Sequence, residues 1–245
     1  SGSGGSAPEA AAALAEMQRI EEPSWPAALR LFGRKIEANL ALADGDFEVA
    51  RAATRARLEL ASACGLQRDV NAALGNLADL ALIAGDAAEA VRLGRSLLSR
   101  LRRRDAATRA MVQGNLLHAL LAQGDDAEAR RVAAEVIDKL RPLGFMFLMY
   151  VCDALALLAA RERRWPAAAL LLGYADAAYA AQAQTRELNE ARAGEEARRA
   201  VAAHCSAAEI QTWFGQSSGL DAEDVCAIAL EDRDHRAVAP QLFTR

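Results

Sequence analysis

Few side chains in this sequence stand in combinations that could catalyse a reaction. His118, His204 and His235 are its three histidines and none lies close to another. A lone His118 on a helix, with no Cys, His or Asp at helical spacing, makes no metal site. Cys64, Cys152, Cys205 and Cys226 contain no CxxC pair, so they read as reduced thiols packing as small hydrophobes. Gly215-Gln216-Ser217-Ser218-Gly219 matches GxSxG. A nucleophile elbow needs a parallel strand before the serine and an Asp and His after it, whereas this stretch is expected in a loop between helices. No GxxxxGK[ST] loop occurs to cradle a nucleotide phosphate. What remains is recognition. Asn76 and Asn115, each preceded by a glycine, offer donors and acceptors suited to a peptide backbone or a small polar molecule, and the glycines would let that ligand come close.

The elements that position these residues follow from composition and repetition. Sixty of the 245 residues are alanine and 53% are apolar, while β-branched residues nowhere alternate, so the expected class is all-α. A formal charge of −4 argues against a generally nucleic-acid-binding surface. No stretch approaches the roughly 18–20 apolar residues that a bilayer crossing needs. A cytoplasmic protein with no cofactor, no direct nucleic-acid contact and no membrane contact is expected.

Three segments are self-similar: ALADGDFEVARA, ALIAGDAAEAVRL and LLAQGDDAEARRV, with turn glycines Gly45, Gly85 and Gly124 at spacings of 40 and 39. Another 40 residues lands on Arg164, where the glycine is lost and Pro166 supplies the helix start. Each repeat reads as a helical hairpin in which glycine ends one helix and Asp46, Asp86 or Asp125 caps the next. Apolar residues three and four apart, such as Leu74, Leu77, Ala78, Ala81 and Leu82, give each helix a buried stripe. Ala50, Ala90, Ala129 and Ala169, five residues past the turn, keep the paired helices close.

The boundaries read from this pattern are a linker or expression scar at 1–6, a capping helix and proline break at 7–25, and four repeats at about 26–65, 66–104, 105–143 and 144–184. Capping helices follow at 185–232, the second starting at Ser206 with a capping box to Glu209, and a tail at 233–245. The Gly/Ser stretch SGSGGS suggests a protein that continues upstream. The dense basic runs, Arg102 to Arg104 with Arg100 and Arg109, and Arg161 with Arg163 and Arg164, finish helices, where the dipole favours cations; a phosphate or nucleic-acid contact is the lesser alternative.

The string LGNLADLALIAGDAAEA resembles a tetratricopeptide repeat, of the long type near 40 residues. SWPAALRLFGRKIEANLALADGDFEVA, ALLLGYADAAYA and TRELNEARA are similar to the C-terminal helical-repeat arm of bacterial winged-helix regulators of the signal-transducing ATPase class. The resemblance implies a right-handed α-solenoid of about four hairpins, with capping helices at both ends. Its role would be an inducer- or partner-sensing arm, attached to DNA-binding and nucleotide-binding domains that this chain lacks. It also implies a concave groove lined by the first helix of each hairpin. Counted back from the turn, the positions nine before it are Ile36, Asn76, Asn115 and Leu155. Those six before are Asn39, Asp79, His118 and Leu158, and those ten before are Lys35, Gly75, Gly114 and Ala154.

Lys35, Asn39, Asn76, Asp79, Asn115 and His118 are therefore the candidate ligand-binding residues, with Lys35 the cation for a carboxylate. The asparagines could instead tie neighbouring hairpins together, and His118 could be hydrogen-bonded within the fold. Met146, Met149 and Tyr150, in the dense run Phe145 to Tyr150, would make one end of the groove apolar, or simply fill core. The expectation is binding without catalysis, of a protein, a peptide or a small polar inducer, with homo-oligomerisation left open. A constitutive protein-docking scaffold that senses nothing small is the alternative.

Overall fold

The computed structural model describes residues 6–102 and 104–231; the glycine-serine stretch 1–5, Arg103 and the tail from residue 232 lie outside the described residues. Among the described residues there are twelve α-helices and no strand. They are α1 (Ser6–Ile20), α2 (Ala27–Ala43), α3 (Phe47–Ala63), α4 (Gln67–Ile83), α5 (Ala87–Arg100), α6 (Ala106–Gln123), α7 (Asp126–Leu140), α8 (Leu148–Arg161), α9 (Trp165–Ala181), α10 (Leu188–His204), α11 (Ala207–Ser217) and α12 (Ala222–Leu230). They form two compact units, one within Ser1–Arg100 and one within Leu101–Arg245. In each unit consecutive helices pack on one another in a repeat-like arrangement.

The turns form as the Gly-Asp spacing predicts. Gly45, Gly85 and Gly124 have φ of 76°, 84° and 82°, the left-handed region that a side chain disfavours by about 1–2 kcal/mol. The next residue then caps. Asp46 accepts from the Val49 N–H at 3.1 Å, Asp86 from Glu89 at 3.0 Å and Asp125 from Glu128 at 3.0 Å. A cap of this kind is worth about 1 kcal/mol. The small residues also behave as expected, with Ala50, Ala90 and Ala129 all essentially buried.

In the first unit α1 packs on α2, where Gly33 leaves the space that Met17 fills, and α2, α3, α4 and α5 follow in order. Arg57, almost buried in α3, pairs with Asp69 of α4 at 2.7 Å and so ties one hairpin to the next.

In the second unit α8 and α9 are the most apolar pair. Leu148, Leu155, Leu158, Leu171 and Leu172 are all fully buried. Helix α10 lies mainly against α8 and also meets α9 and α6, while α11 covers α9. Trp165 at the start of α9 stacks on His204 at the end of α10, with ring centroids 4.3 Å apart. Capping boxes start α11 at Ser206/Glu209 and α12 at Asp221/Asp224. Helix α12 docks on α7, α8 and α9. Its last carbonyls are claimed by two arginines: Arg164 donates to the Ile228 and Ala229 oxygens, Arg130 to those of Leu230 and Glu231, and both guanidiniums share Glu162.

Candidate functional site

The fourth turn carries a correction that bears on the site. Its left-handed residue is Arg163, with φ of 62°, not position 164. Arg164 is the residue that precedes the helix, and its carbonyl accepts from Ala168, as Asp46 does from Ala50, Asp86 from Ala90 and Asp125 from Ala129. The spacings are therefore 40, 39 and 39, and the small residue of the fourth hairpin is Ala168, with Ala169 its equally buried neighbour. Without a glycine to mark the turn, counting overshot by one. The corrected register moves the fourth-hairpin positions from Leu155, Leu158 and Ala154 to Ala154, Leu157 and Asp153. A carboxylate thus stands on the leading helix where apolar residues were expected.

In the first unit Lys35 and Asn39 are exposed one turn apart on α2, and Asn76 and Asp79 are half-buried on one face of α4. In the second unit Asn115 is exposed on α6, whereas His118, one turn on, is buried. The histidine Nε2 lies 3.3 Å from the Tyr150 carbonyl oxygen; a carbonyl only accepts, so the proton sits on Nε2. Burial drives the His118 pKa down to about 4, the Tyr150 carbonyl opposing it, so the ring is neutral and serves the α6–α8 junction. Gly114 has a packing reason of its own, since a Cβ there would sit 2.8 Å from Val151 Cγ1 on α8. Of the apolar run, Met149 is buried, Met146 is 60% exposed ahead of α8, and Tyr150 is half-buried.

Around Tyr150 the structure assembles charged and polar groups that lie outside the expected set. Its hydroxyl donates to Gln184 Oε1 at 2.7 Å, and its ring meets Tyr179 of α9 edge-on at 6.1 Å. Arg186, in the α9–α10 connection, lies over the Tyr179 ring with Cζ 4.7 Å from the centroid. Its Nε donates to Asp153 Oδ2 at 2.7 Å and its Nη2 to Asp176 Oδ1 at 2.7 Å. Arg198 of α10 reaches the same Asp176 oxygen at 2.6 Å. Asp153 is fully buried, and its Oδ1 lies 2.6 Å from where a Cβ on residue 194 would stand, so only glycine there admits it.

Three buried oxygens in this neighbourhood, Asp153 Oδ1, Tyr179 Oη and Glu190 Oε2, have no hydrogen-bond partner among the described residues. Burial pushes the Glu190 carboxyl up to about 7; the charges of Glu187 and Asp153 add to this, while the backbone N–H groups of Glu190 and Glu187 offset part of it. Burial, followed by the charges of Glu190 and Asp153, raises the Tyr179 phenol. Burial also raises Asp153, with Arg186 opposing. This arrangement can recognise and hold a charged group. It contains no nucleophile poised beside a base.

Asp153 had a signal in the sequence, a single carboxylate inside the apolar run VCDALALLAA. Arg186 and Glu190 sit in TRELNEARA, and Asp176 and Tyr179 in YADAAYA, with nothing in either string to say that they converge.

The GxSxG stretch does not lie wholly in a loop. Gly215 to Ser217 close α11, and the Ser217 hydroxyl is committed to the Phe214 carbonyl and packs against Gly173. Cys152 and Cys226 are buried, and burial raises both thiols. Arg161 does more than complement a dipole. It donates to the Leu121 carbonyl, Asp126 and Glu196, tying α6, α7 and α10 together. Among the described residues no group of three or more His, Cys, Asp or Glu is placed to hold a metal, and no helix is long and apolar enough to cross a membrane. Compared with known proteins, the chain matches no family model and none of the curated sequences.

Proposed function

We propose that this chain is the binding arm of a bacterial transcriptional regulator: a right-handed solenoid of four tetratricopeptide-like hairpins with capping helices. It takes a protein, a peptide or a small polar inducer along the leading helices α2, α4, α6 and α8, without catalysis. The observation that supports the reading is the recurring turn. A left-handed residue at Gly45, Gly85, Gly124 and Arg163 is followed five residues later by a buried alanine, at a spacing of 39 or 40. Units of that length, each unable to bury its apolar face alone, are stabilised by stacking on their neighbours. The polar residues of the leading helices are Lys35, Asn39, Asn76 and Asp79 in the first unit and Asn115 in the second. His118, also on α6, is buried.

Two measurements test the reading. Affinity capture from the source organism compares the intact chain with Asn76→Ala/Asn115→Ala; partners bound through this face should be recovered at least tenfold less by the variant, a loss of about 1.4 kcal/mol. Equal recovery of every partner removes the asparagines from the binding surface. A metabolite panel read by thermal shift then separates a sensor, which a small molecule stabilises, from a scaffold, which responds only to a protein.

A further inference from the structure

Among the described residues, the charged cluster of the second unit holds more carboxyl groups than guanidiniums. Asp153, Asp176 and Glu190 bring three carboxyl groups to the junction of α8, α9 and α10. Arg186 and Arg198 bring two guanidiniums, and both are spent on Asp153 and Asp176. Glu190 is 9% exposed and Tyr179 3% exposed. Backbone N–H groups of Glu187 and Glu190 itself donate to the Glu190 carboxyl. Its Oε2 and the Tyr179 hydroxyl are left without partners, although the charge that Tyr179 feels most strongly is that of Glu190. Buried polar atoms that a fold leaves unpaired are uncommon, and each costs about 1–3 kcal/mol. Three in one neighbourhood, all able to accept a hydrogen bond, point to a donor that the described residues do not supply.

We propose that Glu190 Oε2 and the Tyr179 hydroxyl are the receiving end of a site for a small organic cation carrying a primary ammonium group. One positive charge balances the third carboxylate. An ammonium has three N–H donors and accepts nothing, which fits a set of acceptors approached from different helices. Arg186, already held by a carboxylate and an aromatic face in the same cluster, shows that these walls accommodate an N–H cation. A quaternary ammonium carries the charge but no donor, and would leave both oxygens unpaired. The site is separate from the leading-helix residues on which the reading above rests, so its failure leaves that reading standing.

The test uses the whole chain and ethylammonium chloride as the probe, with tetramethylammonium chloride and sodium chloride at equal ionic strength, read by thermal unfolding at pH 8. Ethylammonium should raise Tm in a saturable way, by about 5 °C at one hundred times its Kd, and the two control salts should not. Glu190→Gln and Tyr179→Phe, each checked for native helicity by circular dichroism, should lose the response. At pH 6 a proton occupies Glu190 in competition with the probe, and the wild-type affinity should fall about tenfold. If Glu190→Gln does not fold, that pH dependence tests the same group. Three results overturn the proposal: no stabilisation beyond that of sodium chloride, an equal effect of tetramethylammonium, or an undiminished response in a folded Glu190→Gln variant.

Discussion

Two buried groups in the second unit should pull its stability in opposite directions as pH changes, and removing either should uncover the other. Glu190 has its folded pKa raised to about 7 from an ordinary value of 4.5. Between these values the native state holds a proton that the unfolded chain has released, so this stabilisation is complete below pH 4.5 and is lost as pH rises through 7. His118 has its folded pKa lowered to about 4 from 6.5. There the unfolded chain holds the proton, so its contribution is complete above pH 6.5 and is lost as pH falls through 4. Each displacement is about 2.5 units, or about 3 kcal/mol at 1.36 kcal/mol per unit. From pH 4.5 to 6.5 the two slopes oppose each other, and their sum is close to flat.

Glu190→Gln, which keeps an acceptor for the backbone N–H groups, should therefore lose about 3 kcal/mol relative to its own value at pH 6.5 when taken to pH 4. His118→Gln keeps a donor for the Tyr150 carbonyl and should lose about as much between pH 4.5 and 7. The double variant should be free of both slopes. The assay is urea unfolding at half-unit pH intervals, followed by tryptophan fluorescence in a Trp25→Phe background so that Trp165 and Trp213 report on the second unit. Each variant is compared with the parent at the same pH, which cancels the carboxylates common to both. Should the difference between Glu190→Gln and the parent stay constant from pH 4.5 to 8, the burial argument for Glu190 is wrong.

Two further outcomes follow from backbone geometry and from the docking of α12. Arg163→Gly, which relieves a side chain held at φ 62°, should raise stability by about 1 kcal/mol, and Gly124→Ala should lower it by about 1–2 kcal/mol, both by urea titration. Opposite signs at equivalent turns are what a shared backbone template requires. Arg164→Ala removes the donor to the Ile228 and Ala229 carbonyls, and hydrogen exchange in 222–230 should accelerate at least about tenfold while α6 keeps its rate.

Much of the architecture was legible because it is written in local chemistry. Glycine before aspartate specifies a left-handed turn and a cap, and alanine five positions on specifies a close helix pair, whatever surrounds them. The fourth turn shows where that legibility ends. Arg163 adopts the same backbone as Gly124, yet arginine carries no mark of it, and the lost marker displaced the register by one residue. One residue of helix turns the view by about 100°, enough to hide Asp153 behind Ala154. The convergence of Asp153, Tyr179, Arg186 and Glu190 was out of reach for a different reason. It depends on α10 lying along α8, a choice made by Gly194, Arg186 and Glu196 together. Helical spacing likewise cannot tell that α8 covers the side of α6 that carries His118.

The clasp at the end of α12 joins sequence that is far apart. Arg130 reaches carbonyls 100 and 101 positions later in the chain, and Arg164 reaches carbonyls 64 and 65 positions later. During synthesis both guanidiniums are made before their carbonyl acceptors exist, with Glu162 already at hand to hold them in place. Helix α12 is therefore a late arrival to a prepared berth. A nascent chain halted just short of it would carry a wet, charged notch, and not an open apolar core alone, on the surface where Val225 and Cys226 belong.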